Sequence, residues 1–194
     1  ALAGFDPGDP DLCPALPFAW SPNPPPHAPQ GQPRRDPLFV SGGVLLPWQN
    51  PMPALEALLR AMDEAGRGRL RFFGGAHPAL NVAGGESQAL LAMLDGHPRA
   101  EVRPLQPFER FLDELARADA AFDVLPRNNE RELAFPIRTT MYLWSGLPVL
   151  HGDYDELARW IGRYGAGWTV NPADPHAIFE AALEEHGFRF TDTV

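Results

Sequence analysis

From residue 37 onward, short apolar runs alternate with segments in which apolar residues recur at helical spacing. The runs are typical of buried strands and lie at 38–40, 70–73, 100–105, 120–125, 147–150 and 168–170. Between the first two runs, Leu55, Leu58, Leu59 and Met62 follow a helical repeat. Because strands separated by helices of about 10–15 residues pair in parallel, the pattern predicts an α/β fold with one doubly wound parallel sheet of about six strands.

The first 36 residues have a different composition. Proline is dense between Pro7 and Pro37 and forms a cluster at 24–26. Proline removes a backbone donor and fixes φ, so regular helix and central strand are disfavoured there. We therefore predict a proline-rich linker over 1–36 and one folded domain over 37–194, with Trp20 among the apolar residues that could pin the linker to the domain.

Composition excludes several classes of function. The net charge of −9 argues against a nucleic-acid partner, since phosphate neutralisation needs a basic face. Cys13 is the only cysteine, so no internal disulfide can form, which fits a reducing compartment. No run of about 18 apolar residues is present, so no membrane span is expected, and we expect a cytoplasmic location. The six histidines are scattered without metal-ligand spacing, so no metal is predicted.

The chain's polar chemistry is concentrated at 127–156. A polar loop, Arg127–Glu132, is predicted to lead into a short helix at Thr139–Ser145, directly preceded by Arg138. A helix amino end offers free N–H groups and partial positive charge, and a guanidinium beside it would complete an anion site. The nearby Arg127 and Arg131 could contribute.

The sequence allows two interpretations of Arg138. In one it binds an anion, and in the other it forms a structural ion pair with Glu130 or Glu132. Gly42 and Gly43 after the first strand also allow two interpretations. They permit either a tight turn or close approach of a ligand to the backbone.

Two further loops follow neighbouring strands and are predicted to face the same crevice as Arg138, because parallel strands end at one edge of the sheet. Trp48 in the first loop could stack on a ring or pack locally. His77 in the second could contact a phosphate or a sugar hydroxyl, or cap the next helix.

Four segments together resemble the C-terminal half of a GT-B-fold glycosyltransferase of the retaining, nucleotide-sugar-dependent type. They are FVSGGVLLPWQNPMPALEALL, RFFGGAHP, ERELAFPIRTTMYLWSGLPVL and ELARWIGRYGAGWTVNPADPHAIFEAAL. The resemblance covers roughly residues 37–185, and the order of the segments makes it specific. It implies a Rossmann-like domain that binds a UDP- or GDP-sugar across a cleft from an N-terminal acceptor domain, without a metal or other cofactor. Bacterial synthesis of cell-surface polysaccharide is the implied setting, with membrane contact through the other half.

The resemblance also implies roles for individual residues. Those implied for the diphosphate are Gly42, Gly43, Arg127, Arg138, Thr139 and Thr140. The loop after the third strand, with Gln106, would cover the base, and the segment from Glu130 to Phe135 would face the sugar together with Trp48 and His77. Arg138 and Glu132 would be the catalytic residues, with Glu132 as the first of a pair of glutamates found in such enzymes.

The second glutamate of that pair, which binds the ribose hydroxyls, is replaced by Met141 or Thr140. Two alternatives therefore accompany the glycosyltransferase reading. A nucleotide-sugar epimerase of the same architecture would need an acid and a base near the sugar, for which the polar loop supplies only Glu130 and Glu132. A non-catalytic binding domain would keep the fold without the chemistry.

Overall fold

One parallel sheet forms the centre of the molecule in a computed structural model that describes residues 20–25, 36–44, 46, 48–75 and 85–183. The strands are β1 (Leu38–Val44), β2 (Arg69–Gly75), β3 (Ala100–Arg103), β4 (Ala120–Asp123), β5 (Val149–Gly152) and β6 (Gly167–Val170). Their order is β3-β2-β1-β4-β5-β6, and each neighbouring pair is parallel. The predicted doubly wound α/β fold is confirmed.

Helices connect the strands, and all of them except α4 were predicted from the sequence. They are α1 (Met52–Ala65), α2 (Gly85–Asp95), α3 (Phe108–Leu115), α4 (Asn129–Leu133), α5 (Ile137–Trp144), α6 (Glu156–Tyr164) and α7 (Pro175–Leu183). Gly66 ends α1 in the left-handed conformation, which glycine adopts without steric cost. Asp155 begins α6 by accepting a hydrogen bond from the backbone N–H of Ala158 at 2.9 Å.

Apolar side chains cover both faces of the sheet. Successive strand residues point to opposite faces, and Phe72 packs in one buried cluster while Phe73 packs in another. The first cluster includes residues of α1, α2 and α7, and the second includes residues of α3 and α5. A sheet buried on both faces leaves the carboxyl ends of its strands as the natural place for a ligand.

Three local predictions were wrong. Gly42 and Gly43 do not follow β1 but lie within it, paired in register with Phe73 and Gly74. The predicted polar loop at 127–132 contains the helix α4, because Asn128 caps it by accepting from the N–H of Arg131 at 2.9 Å. Strand β5 begins two residues later than expected, since Pro148 has no N–H to donate to a ladder.

The described part of the amino-terminal segment packs on α5. The rings of Trp20 and Trp144 stack with centroids 5.0 Å apart, and Trp144 Nε1 donates to the carbonyl of Ser21 at 2.8 Å. Trp20 therefore attaches this segment to the folded domain as the sequence predicts, while the boundary at residue 36 stays a prediction. None of the helices in the described ranges is both long and apolar enough to cross a membrane.

Candidate functional site: a cavity at the carboxyl ends of β1 and β4

The chain reverses its direction of winding between β1 and β4. From β1 it proceeds outward through β2 to β3, then returns to place β4 on the other side of β1. Connections on the two sides of this point diverge, which opens a crevice at the carboxyl ends of the two central strands. Gly42 and Gly43 occupy the end of β1, and Asp123 is the last residue of β4.

A cavity of about 480 Å³ opens at this crevice. That volume lies within the usual range for small-molecule sites, about 300–1,000 Å³. Its apolar wall comes largely from aromatic and long aliphatic side chains, including Phe73, Leu105, Phe111, Phe135, Ile137 and Met141. Its polar lining comprises Gln49, Gln106, Glu130, Arg131 and Arg138. The cavity thus combines apolar surface with two cations, Arg131 and Arg138.

Arg138 lies in the first turn of α5 and points back over the end of β1. Its Nη1 donates to Oδ1 of Asp123 at 3.1 Å, while 26% of its side chain remains accessible. The partner of Arg138 is therefore Asp123 and not Glu130 or Glu132, the two acids that the sequence indicated as alternatives. Because the guanidinium has five donors, this ion pair leaves most of them available to a ligand in the cavity.

Glycine at position 43 is needed for this arrangement. Gly43 has a φ of 142°, and a Cβ there would lie 2.5 Å from Nη2 of Arg138. Any side chain at 43 would therefore strain the backbone and displace the guanidinium.

Gly43→Ala is accordingly expected to lower the free energy of unfolding by about 1–3 kcal/mol, as measured by urea denaturation. The matched control is Gly162→Ala in α6, where a Cβ would meet nothing within 4 Å. There the loss of backbone freedom in the unfolded chain should raise stability by about 0.5–1 kcal/mol. A Gly43→Ala protein as stable as the control would contradict this account.

Asp123 anchors a buried polar network behind the cavity. Its side chain is 1% exposed, and it accepts a short hydrogen bond from the hydroxyl of Thr139. The Thr139 hydroxyl also lies 3.3 Å from Nδ1 of His151, whose Nε2 is 2.9 Å from Oδ2 of Asp155. The network therefore ties the start of α5 to the cap of α6.

The charges of this network keep Asp123 ionised. Burial alone would raise the pKa of Asp123, but Arg138, His151 and Arg131 and the hydrogen bond from Thr139 outweigh it, and its pKa lies below the ordinary value. Burial acts on Asp155 in the same direction and is outweighed by His151, so the pKa of Asp155 is also lowered. Both carboxylates therefore favour the folded state only while they are ionised.

Several residues predicted for the site do line the cavity. Gly42, Gly43 and Arg138 lie at the sheet edge, Gln106 follows β3, and Phe135 lies just before α5. Glu130 also lines it, and both of its carboxylate oxygens lie 3.2–3.3 Å from Nε2 of Gln49.

Other predicted residues lie elsewhere. Arg127 forms an ion pair with Glu132, and neither lines the cavity. The Thr139 hydroxyl is buried against Asp123, and the Thr140 hydroxyl donates to the carbonyl of Pro136 at 3.0 Å. Trp48 is half exposed, and its carbonyl accepts from Nδ2 of Asn128.

His77 lies outside the described residues. Asp123 was not predicted for the site, since its only signal in the sequence is an acid at the end of an apolar strand. Arg127 was predicted for the diphosphate, whereas the buried Arg131 lines the cavity.

The chain has the fold of one half of a GT-B glycosyltransferase, which confirms the resemblance at the level of the fold. Among solved structures, it is similar to a UDP-forming α,α-trehalose-phosphate synthase of Burkholderia vietnamiensis, with 12% identity, TM-score 0.58, and coverage of 80% of this chain and 38% of that one. It is also similar to WaaG, a glycosyltransferase of lipopolysaccharide biosynthesis, with 17% identity, TM-score 0.57, and coverage of 80% and 39%.

A third similar structure is S. aureus TarM in a complex that includes UDP, with 9% identity, TM-score 0.65, and coverage of 88% of this chain and 31% of that one. The chain thus spans well under half the length of the solved glycosyltransferases it matches. No protein-family model matches the sequence, and no curated protein matches it.

Proposed function

We propose that this chain is the donor-binding half of a glycosyltransferase that uses a nucleotide sugar. The observation that carries the proposal is the guanidinium of Arg138, which lies against Gly43 at the carboxyl end of β1 and lines a cavity of about 480 Å³. A diphosphate placed there would meet the guanidinium, backbone N–H groups at the start of α5 and the glycine backbone together.

The chemistry required of this half is the neutralisation of a leaving diphosphate. Negative charge grows on the phosphate oxygens as the bond to the sugar breaks, and fixed cations and dipoles stabilise such charge without reorganising. Arg138 is held in place by Asp123, so it meets this requirement before the ligand arrives. We propose that arginine fulfils this role without a metal.

The apolar wall of the cavity is suited to a nucleobase. Phe73 and Phe111 contact each other edge to face, with centroids 5.1 Å apart, and both line the cavity. Aromatic and aliphatic surface of this kind binds a planar ring, while a side-chain amide such as that of Gln106 supplies direction. Two similar structures, one of a UDP-forming enzyme and one solved with UDP, support a uridine nucleotide as the first ligand to test.

The acceptor would bind a second domain facing this cavity. Phe135 and Ile137, which line the cavity, are about half exposed, and Leu133 in α4 is 88% exposed. Exposed apolar patches of this kind mark interaction surfaces. We propose that the sugar is transferred in the cleft between the two halves, to an acceptor that the other half selects.

An epimerase is less well supported. It would require an acid and a base beside the sugar, yet Glu130 is the only carboxylate on the cavity lining among the described residues. Its oxygens are already within hydrogen-bond reach of Gln49.

Thermal unfolding in the presence of UDP, with uridine as the control, tests the proposed function. At a ligand concentration 100 times its dissociation constant, binding adds about 2.7 kcal/mol of stability, which for a chain of this size raises the Tm by about 5–10 °C. Uridine lacks the diphosphate and should raise it much less. No stabilisation by UDP, GDP or ADP would instead favour a non-catalytic domain.

A further inference from the structure

His151 is a fully buried histidine near the carboxyl end of β5, and both of its ring nitrogens face oxygen atoms. Its side chain is 0% exposed. Nε2 lies 2.9 Å from Oδ2 of Asp155, and Nδ1 lies 3.3 Å from Oγ1 of Thr139. A neutral imidazole has one donor and one acceptor nitrogen, whereas an imidazolium has two donors. The two partners therefore determine how many protons the ring must carry.

Both of these oxygens require a donor from the ring. Burial alone would raise the pKa of Asp155, but His151 and the backbone N–H of Ala158 outweigh it, so Asp155 is an ionised carboxylate that only accepts. The Thr139 hydroxyl has a single proton, which it donates to Asp123. Its oxygen can therefore only accept from Nδ1. All of these hydrogen bonds form together only when His151 carries a proton on each nitrogen.

We propose that His151 is a positioning residue for the nucleotide site, and that it holds the start of α5 in place only while it carries both ring protons. This inference rests on the proposed function. Thr139, in the first turn of α5, accepts from His151 and donates to one oxygen of Asp123. The other oxygen of Asp123 accepts from Arg138, the residue before Thr139. The protonated ring thus stabilises both the helix that carries Arg138 and the carboxylate that orients its guanidinium.

Loss of either ring proton removes one of these contacts. Without the proton on Nε2, a lone pair faces the Asp155 carboxylate at 2.9 Å. Without the proton on Nδ1, Thr139 can pair with the ring only by withdrawing its own proton from Asp123. Because an unpaired buried polar group is costly, fewer molecules would then hold Arg138 against Gly43. The apparent affinity for a ligand falls with the fraction of binding-competent molecules.

The other charged and titratable groups of this network come from β4, α4, α5 and the residues before α6. They are Asp123, Arg131, Arg138, Tyr154 and Asp155. The pKa values of both carboxylates are lowered, burial raises the pKa of the Tyr154 hydroxyl, and arginine does not titrate in proteins. None of the five therefore changes charge between pH 6 and pH 8.5, and a pH effect carried by the network over this range belongs to His151.

Titration of wild type and His151→Asn with UDP between pH 6 and pH 8.5 tests the proposal. The asparagine amide can donate to Thr139 from about the position of Nδ1, and it does not titrate. The affinity of wild type divided by that of the variant should fall by about 3- to 10-fold over this range, the effect of one hydrogen bond. This ratio cancels the titration of the UDP phosphates. A ratio that is independent of pH, as a purely structural role would give, would overturn the proposal.

His97→Asn is the matched control. Nε2 of His97 also pairs with an aspartate, at 3.1 Å from Oδ2 of Asp63, but this pair lies before β2 and β3, at the amino ends of the strands. This variant should show the same pH dependence of UDP affinity as wild type. If both variants lose that dependence equally, the assignment to His151 is wrong.

The ring protons can also be observed in wild type without a ligand. After backbone assignment, long-range nitrogen–proton NMR spectra at pH 6 should show a proton on each ring nitrogen of His151, in slow exchange with water because the ring is buried. A single ring proton on His151 at pH 6 would overturn the proposal, and this result does not depend on whether His151→Asn folds.

The outcomes separate this inference from the proposed function. If wild type binds UDP and the affinity ratio does not change with pH, the positioning role is wrong while donor binding stands. If His151 carries both protons but wild type binds none of UDP, GDP and ADP at any pH, the proposed function fails, and His151 is then only a structural ion-pair partner of Asp155.

Discussion

Arg138→Met is expected to weaken UDP binding by at least about 100-fold. The substitution removes two or more charge-assisted hydrogen bonds to the diphosphate, and bonds to charged groups contribute about 1.5–3 kcal/mol each. The apolar wall that would receive the base is untouched, so uridine should bind the variant as it binds wild type. Isothermal titration with both ligands measures the two effects separately.

Arg138→Lys is a second variant that separates loss of UDP binding from loss of folding. A buried carboxylate that loses its cation destabilises the fold, and Asp123 would face that loss in Arg138→Met. Lysine keeps a charge near Asp123 and lacks only the planar fork. We expect it to fold like wild type and to bind UDP with intermediate affinity. Equal UDP affinity in wild type and Arg138→Met would remove Arg138 from the site.

Asp123→Asn is expected to destabilise the protein by about 3–5 kcal/mol at pH 7. Breaking a buried ion pair by removing one partner leaves an uncompensated charge, and here two guanidinium groups depend on one carboxylate. Urea denaturation at pH 7 measures the change. Glu132→Gln in the exposed pair with Arg127 is the control, and it should change stability by less than about 1 kcal/mol.

The acid dependence of stability should change in the same variant. Because the pKa of Asp123 is lowered in the folded protein, its contribution is present above the ordinary aspartate value of about 4 and is lost as the pH falls below it. Wild type should therefore lose more stability between pH 7 and pH 3 than Asp123→Asn does. Asp155 is present in both proteins and its pKa is also lowered, so both should lose some stability at low pH. An equal loss of unfolding free energy in wild type and Asp123→Asn over this pH range would contradict the role given to Asp123.

The sequence predicts the sheet well because its apolar runs and helical repeats are strong and local. It also predicts that Gly43 and Arg138 lie at the same edge of the sheet, because the carboxyl ends of parallel strands meet at one edge. It does not reveal α4, whose five residues give too short a repeat to recognise, although Asn128 is a good cap. Nor does it separate the buried Arg131 from the exposed Arg127, because burial depends on how α4 packs against the sheet.

The role of Asp123 also cannot be predicted from the sequence. An aspartate at the end of an apolar strand can be a turn residue, a cap or a buried ion-pair partner. Only the approach of α4 and α5, which carry Arg131 and Arg138, decides between these. The functional meaning of the site therefore depends on contacts between elements that are distant in sequence.

A crystal structure of the protein with bound UDP tests the central claim most directly. The account predicts phosphate oxygens within hydrogen-bond distance of Arg138, beside Gly43, with the base against the aromatic wall of the cavity. A diphosphate bound elsewhere, with the Arg138 guanidinium contacting only Asp123, would contradict it.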